Sequence, residues 1–229
     1  MLYFPGKQAG VIKMEEKIKR TMEALNKNHM ESFFAEDKEK AVQIALSLVN
    51  KNDTVSVGGS VTLGEIGLTG YLKSGDFNYL DRHAANTKEE MHRIFRESFF
   101  ADAYFSSANA VTEQGELFNV DGNGNRVAAM LYGPKKVIII VGKNKIVKNL
   151  DEALQRLKTI AAPLNTKRLN KDTYCAKTGR CVTLDNGNAN EMTCGCRSAD
   201  RICRDFVIMA EQTPCDRVKV IIVDEELGY

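Results

Sequence analysis

The sequence lacks the features that mark several specialised classes of protein. Its 32 Lys and Arg stand against 30 Asp and Glu, a formal net charge of +2, and they form no basic stripe of the kind that binds nucleic acid. The longest apolar runs, such as VIIIVG, are far shorter than the roughly 18 residues of a membrane helix. The first ten residues lack the basic flank and apolar stretch of a secretion signal. We therefore expect a cytoplasmic protein that binds neither nucleic acid nor membrane.

Cysteine is missing from the first 174 residues, and all six cysteines lie between Cys175 and Cys215. In a reducing compartment, clustered thiols bind metal more often than they form structural bridges. The two-residue spacings of zinc knuckles are absent, and the spacing is not that of a bacterial ferredoxin. Thiolates bind soft metals and iron–sulfur clusters, and four converging ligands suffice for one cluster, so this pattern favours a bound metal for which zinc is not the first choice. The alternative is a set of free thiols or adventitious disulfides.

The rest of the chain alternates predicted helices with predicted strands. Asp37 and Thr87 each precede an amphipathic stretch and are typical helix N-caps. KKVIIIVG is apolar without alternation, which indicates a central strand covered on both faces. A later helix is predicted to stop near Pro163. This alternation predicts an α/β fold with a mainly parallel sheet and flanking helices.

We find no internal repeat and no low-complexity linker. Residues 14–229 are therefore predicted to form one α/β domain that includes a Cys-rich segment over 166–215. Residues 1–13 are interpreted as an N-terminal extension outside the fold.

A glycine-rich turn follows the first predicted buried strand of the sheet. Gly58 and Gly59 would let a ligand approach the backbone, and the hydroxyls of Ser60 and Thr62 could hold an anion beside the helix start. Glu65, on the same short helix, is a candidate catalytic carboxylate. The spacing matches neither the dinucleotide fingerprint nor the P-loop. The alternative is a tight turn with a helix cap at Ser60 and a solvated Glu65.

Uncharged polar side chains are concentrated just before the KKVIIIVG strand. Such groups orient small polar ligands in clefts, although turn chemistry also explains DGNGN by itself. Glu113 is a candidate general base or nucleophile if burial shifts its pKa. The residues of this segment are Asn109, Thr112, Glu113, Asn119, Asp121, Asn123 and Asn125; of these, Asn109, Thr112, Asp121 and Asn125 are predicted to bind ligand.

Three segments together resemble one family. They are GGSVTLGEIG (58–67), the long stretch from SSANAVTEQG to KNLDEAL (106–154), and the cysteine motifs CAKTGRC and CRSADRICRDFVI. This resembles the LUD domain of lactate-utilization proteins. The resemblance implies a fold like that of sugar-phosphate isomerases and coenzyme A transferases. It also implies a link to oxidation of L-lactate to pyruvate within an iron–sulfur-containing complex.

A subset of that family carries a pattern similar to CAxTGxCxxCxSPxRIC. The resemblance places its four metal-binding cysteines on Cys175, Cys181, Cys196 and Cys203. Here an insertion adds Cys194, which competes with Cys196 for the third position, and Ala199 replaces the usual proline.

Three functions follow as hypotheses. The first is a redox-complex component that binds a small organic acid, holds an iron–sulfur cluster and works with redox partner subunits. The second is a transferase or ligase-like enzyme for an acyl or phosphorylated small molecule. The third is a non-catalytic binding protein with a structural metal. No flavin or nicotinamide fingerprint is present in the sequence.

Overall fold

The computed structural model describes residues 14–214 and 216–229. The predicted extension over residues 1–13 and the sixth cysteine, Cys215, lie outside the described residues. Two sheets and a set of helices make up the described part of the chain.

Ten strands are described. In chain order they are β1 (Glu31–Ala35), β2 (Thr54–Val57), β3 (Asn78–Leu80), β4 (Ala103–Ser106), β5 (Ala110–Thr112), β6 (Leu117–Asp121), β7 (Lys136–Gly142), β8 (Ile146–Val147), β9 (Asp205–Met209) and β10 (Val218–Val223).

The α-helices connect and cover these strands. They are α1 (Glu16–Lys27), α2 (Lys38–Ser47), α3 (Val61–Glu65), α4 (Leu68–Leu72), α5 (Lys88–Glu97), α6 (Asn125–Leu131), α7 (Leu150–Arg156), α8 (Ala162–Arg168) and α9 (Tyr174–Thr178). The predicted N-caps are confirmed, since Asp37 Oδ1 accepts from Lys40 N at 2.7 Å and Thr87 Oγ1 accepts from Glu90 N at 3.1 Å.

The larger sheet has the strand order β1-β10-β7-β4-β2-β3, and each neighbouring pair is parallel. Strand β10 is buried along its whole length and β7 from its second residue on, which explains their unbroken apolar sequences. Separate apolar clusters pack on the two faces of this sheet. The predicted α/β class with a mainly parallel sheet is therefore confirmed.

The smaller sheet has the order β8-β5-β6-β9, with β6 antiparallel to both of its neighbours. Its strand β9 lies in the cysteine-bearing part of the chain, so the ladder between β6 and β9 attaches that segment to the rest of the fold. A third apolar cluster packs this sheet against α7 and α8.

The prediction that a helix stops near Pro163 is wrong. The helix continues from α7 through a π-helical turn at Leu157–Ala161 into α8. Pro163 comes just after the π-helical turn, where the regular ladder of helix hydrogen bonds is already interrupted, so its missing backbone N–H costs little. Within residues 14–214 and 216–229, no helix has the length and apolar character needed to cross a bilayer.

Candidate functional site

A cleft of about 550 Å³ opens at the carboxyl edge of the parallel sheet. Residues that follow β2, β3, β4 and β7 line it, together with residues from α8 and from the stretch before β9. Ligands of open α/β folds bind at this edge because the loops there converge on one crevice. The cleft is therefore the main candidate site of the protein.

Cationic side chains dominate the wall of this cleft. Asp121 and Asp200 are the acidic residues of the lining, and each of them already pairs with a cation of the same wall. The cations are Arg82, Arg126, Lys145, Arg168, Lys171, Arg201 and Arg204. This excess of positive charge in a concave surface favours an anionic ligand.

Arg126, the second residue of α6, fixes the floor of the cleft. Its Nη1 donates to Ser107 O at 3.0 Å and to Asn119 Oδ1 at 2.9 Å, while Nη2 donates to Val120 O at 2.9 Å. Its Nε lies 3.4 Å from Asp121 Oδ2. The guanidinium thus holds the loop after β4 against the end of β6, and a buried charge remains beside the cleft.

Lys145 lies in the turn after β7 and is 3% exposed. Its Nζ donates to Thr62 Oγ1 at 2.9 Å and to Ser107 Oγ at 3.1 Å, which links α3 to the loop after β4. Burial lowers the pKa of Lys145 to about 7, and the nearby charges of Arg156 and Arg126 act in the same direction, whereas Glu65 opposes them. The side chain is therefore a buried amine that titrates near neutral pH.

Arg82 follows β3 and borders the glycine-rich turn. A Cβ on Gly59 would lie 3.1 Å from Arg82 Nη2, a tight contact that would require the guanidinium to shift slightly. Arg82 Nε is buried and has no hydrogen-bond partner among the described residues. An unpartnered buried donor on a cleft wall is a place where a ligand oxygen would be stabilised.

The structure brings many of the predicted ligand-binding residues to this cleft. Gly59, Ser60, Asn109, Asp121 and Asn125 line it. Ser60 Oγ also accepts from Leu63 N at 3.3 Å, so the alternative reading of a helix cap holds as well. Gly58 and Thr62 lie directly behind the wall, against Arg126 and Lys145 respectively.

Three predicted residues lie elsewhere. Thr112 donates to Glu116 Oε2 at 2.7 Å in the smaller sheet. Glu113 Oε2 accepts from Arg20 Nη2 at 2.7 Å on the surface, and Glu65 Oε2 accepts from Gly228 N. None of the three belongs to the described lining of the cleft. The catalytic roles of Glu65 and Glu113 stay predictions.

The cysteine segment surrounds a second, smaller cavity. Cys175, Cys181, Cys194, Cys196 and Cys203 all line it, together with apolar side chains such as Met192 and Phe206. All five are free thiols. Burial raises the pKa of Cys203, and a hydrogen bond with Glu191 is the main cause of the raised pKa of Cys194. The thiols predicted from the sequence thus share one location.

This cavity fits a soft metal centre by the chemistry of its donors, since thiolates are the ligands of iron–sulfur clusters. As described, the side chains do not converge: over residues 14–214 and 216–229, no three His, Cys, Asp or Glu side chains stand in a metal-holding arrangement. Binding would therefore require the thiols to turn into the cavity.

The cleft and the cysteine cavity adjoin each other. Leu157, Ala162 and Cys203 line both. Arg201 Nε donates to Cys203 O at 2.8 Å, so a cation of the cleft is bound to the backbone of a cysteine in the cavity.

Sequence reasoning missed Arg82, Arg126 and Lys145. Lys145 follows the carboxyl end of a clearly predicted buried strand, and this position would have marked it by the same argument that selected Gly58. For Arg82 and Arg126, nothing in the local sequence distinguishes them from solvated arginines.

Comparison with known proteins agrees with this fold. The family model of the LUD domain matches residues 18–223. The chain belongs to the LUD domain family. A DUF162 family protein from Deinococcus radiodurans is similar to this LUD domain with a TM-score of 0.50 at 14% identity, over 91% of this chain and 96% of that one. That likeness extends across the whole fold.

Partial structural likenesses also occur. A D-ribose-5-phosphate isomerase in complex with phospho-erythronic acid matches with a TM-score of 0.36 at 18% identity, over 50% of the LUD domain chain and 55% of its own. Ribose 5 phosphate isomerase A from Neisseria gonorrhoeae has a TM-score of 0.32 at 18% identity, over 49% and 54%. No curated protein matches the sequence.

Proposed function

We propose that this LUD-domain protein is a component of hydroxy-acid oxidation, from L-lactate to pyruvate, and binds the small organic acid in its cationic cleft. Membership of the LUD domain family supports the link to lactate utilization. The observation that carries the proposal is the excess of basic side chains around one crevice, seven against two acidic residues that are already paired, with the guanidinium of Arg126 less than a tenth exposed. A carboxylate would offset the cost of keeping these charges out of water.

Arg82 is the residue that would bind the carboxylate directly. Arg82 lines the cleft, and its Nε has no hydrogen-bond partner within the described residues, so this donor is not committed to the fold. Arg126, by contrast, is committed to the carbonyls of Ser107 and Val120 and serves mainly to hold the cleft in shape. Lys145 supplies a further polar group at the inner wall.

Calorimetric titration with L-lactate, pyruvate and inorganic phosphate tests this proposal. We expect L-lactate and pyruvate to bind, and Arg82→Met to weaken their binding about 10- to 100-fold, because a charge-assisted hydrogen bond contributes about 1.5–3 kcal/mol. Arg20→Met is the matched control, since Arg20 pairs with Glu113 on the surface. Binding of phosphate but of neither organic acid would instead favour an enzyme for phosphorylated molecules.

We also propose that Cys175, Cys181, Cys196 and Cys203 hold an iron–sulfur cluster in the smaller cavity. The five described cysteines around one cavity support it. When bound, such a cluster supplies one-electron transfer. The position of Cys203 between the cavity and the cleft would bring that centre close to the bound acid, and a redox partner subunit would complete the electron path.

Anaerobic purification followed by iron and sulfide analysis and visible absorption tests the cluster. We expect iron and sulfide in the wild-type protein and their loss in Cys203→Ser. Cys194→Ser is the control, because the proposed ligand set leaves this cysteine out. A colourless, iron-free protein that still binds L-lactate would contradict the cluster and leave the organic-acid site intact.

A further inference from the structure

Lys145 differs from the other lysine of its turn in its surroundings. Lys143 Nζ lies 2.8 Å from Glu15 Oε1 and 2.9 Å from Asp224 Oδ1, and is about a third exposed. Lys145 is buried and contacts two hydroxyls, with no ion pair to any described carboxylate. A lysine placed in this way serves no charge-pairing role in the fold.

The position of Lys145 suits a reacting group. Lys145 belongs to the lining of the cleft, and its amine lies between α3 and the loop after β4. The charged groups that act on it are Arg156, Arg126 and Glu65. Because burial holds its pKa at about 7, much of the amine is unprotonated at neutral pH, and only the unprotonated form has the lone pair that attacks a carbonyl.

A ligand with both a carboxylate and a neighbouring carbonyl would interact with Arg82 through the carboxylate and with Lys145 through the carbonyl. Arg82 Nε offers the carboxylate a donor without a partner in the described protein. The carbonyl carbon next to that carboxylate is the atom that the amine of Lys145, on the wall of the same cleft, would attack. A hydroxy acid fits the same cations but has no carbonyl to react.

Resting on the organic-acid site proposed above, we propose that Lys145 Nζ forms a reversible imine with the carbonyl carbon of a 2-oxo carboxylate. The amine adds its lone pair to the carbonyl carbon and gives a carbinolamine. The former carbonyl oxygen then leaves as water with the two amine protons, and a C=N bond remains. The hydroxyls of Thr62 and Ser107 already contact Nζ and can pass these protons. Hydrolysis by water reverses the step, so no oxidant or reductant is consumed.

Reductive trapping tests the imine. The full-length protein is incubated with pyruvate and sodium cyanoborohydride, and intact mass and peptide mapping locate the reduced adduct. We expect one adduct, on Lys145, and none with L-lactate. The labelling rate should rise with pH through about 7 as the amine loses its proton.

Two variants separate the effect of losing the nucleophilic amine from the effect of losing a positive charge. Lys145→Arg keeps a cation but removes the nucleophile, so labelling should fall at least about tenfold. Lys143→Arg changes the paired lysine of the same turn and should be labelled like the wild type. Because trapping on the wild-type protein is mapped directly, the result does not depend on either variant folding.

Calorimetry with pyruvate distinguishes the two ways to fail. If pyruvate binds but no adduct forms on Lys145, the imine is wrong and the organic-acid site stands. If neither pyruvate nor L-lactate binds, the proposed function fails together with the imine. Equal labelling of several lysines, or undiminished labelling of Lys145→Arg, also overturns the inference.

Discussion

At the scale of the residue, Gly58 shows how the lack of one methyl group shapes the cleft. A Cβ at this position would lie 2.8 Å from Ser106 Oγ, 2.9 Å from Arg126 Cγ and 3.0 Å from the hydroxyl of Tyr104. These atoms belong to β4 and α6, which carry the floor of the cleft. Any larger residue would therefore force Ser106, Arg126 or both to shift.

We expect Gly58→Ala to lower the free energy of unfolding by about 1–3 kcal/mol, because the added methyl overpacks a filled space. Urea unfolding measures the change. Gly64→Ala is the matched control: a Cβ there meets no atom within 4 Å, and alanine favours the helix by up to about 1 kcal/mol. Equal free energies of unfolding for the two variants would contradict this expectation, because they would mean that the residues around Gly58 accommodate the added methyl group without loss of stability.

Residues whose role depends on near neighbours were predictable from the sequence. The N-caps Asp37 and Thr87 bond to amides three positions away, and both predictions are confirmed. Lys145 depends on Thr62, which is 83 positions distant, and on burial under the C-terminal stretch. No local pattern carries that information, because the surroundings of Lys145 exist only after the sheet has formed.

At the scale of the element, the π-helical turn at Leu157–Ala161 connects the fold to the cysteine segment. Lys158 O accepts from Cys181 N at 2.9 Å, a bond that a regular helix would reserve for its own next turn. The Lys158 side chain continues in the same direction, with Nζ donating to Ala189 O and Glu191 O at 2.7 Å each. One buried lysine thus holds the inserted loop beside the cysteine cavity.

Replacement of this lysine should loosen the loop. In Lys158→Met the carbonyls of Ala189 and Glu191 lose a charged donor, a loss of roughly 1–3 kcal/mol in local stability. Hydrogen exchange measured by mass spectrometry should become faster over residues 182–203. Lys177→Met is the control, because Lys177 forms an exposed ion pair with Asp172 away from the carbonyls of the loop. Unchanged exchange in the loop would mean that other contacts hold it.

Helices and strands with a clear hydrophobic pattern are easier to predict from the sequence than short elements without one. The apolar run of β7 identified a central strand, and the structure buries it from Val137 to Gly142. The sequence places the five residues of β9 only within the cysteine segment, since their strand form depends on pairing with β6 across more than 80 positions. It predicts a helix end near Pro163 because it does not reveal that a second helix segment begins there.

At the scale of the whole molecule, the parallel sheet decides where chemistry can occur. Its strands end together at one edge, and the loops from β2, β3, β4 and β7 meet there although their sequences are far apart. The sequence predicted this class of fold and several residues of the cleft. It could not predict the excess of positive charge, because Arg82, Arg126 and Lys145 come from three separate parts of the chain.

The side chains of Leu157, Ala162 and Cys203 face the cleft on one side and the cysteine cavity on the other. The wall shared by the cleft and the cavity is therefore one residue thick. A new charge or a bulkier sulfur on one side of it alters the electric field and the free volume on the other side. A molecule bound in one compartment should therefore change a measurable property of a group in the other. If an inorganic centre is bound in the cysteine cavity, its light absorption should change when a ligand binds in the cleft.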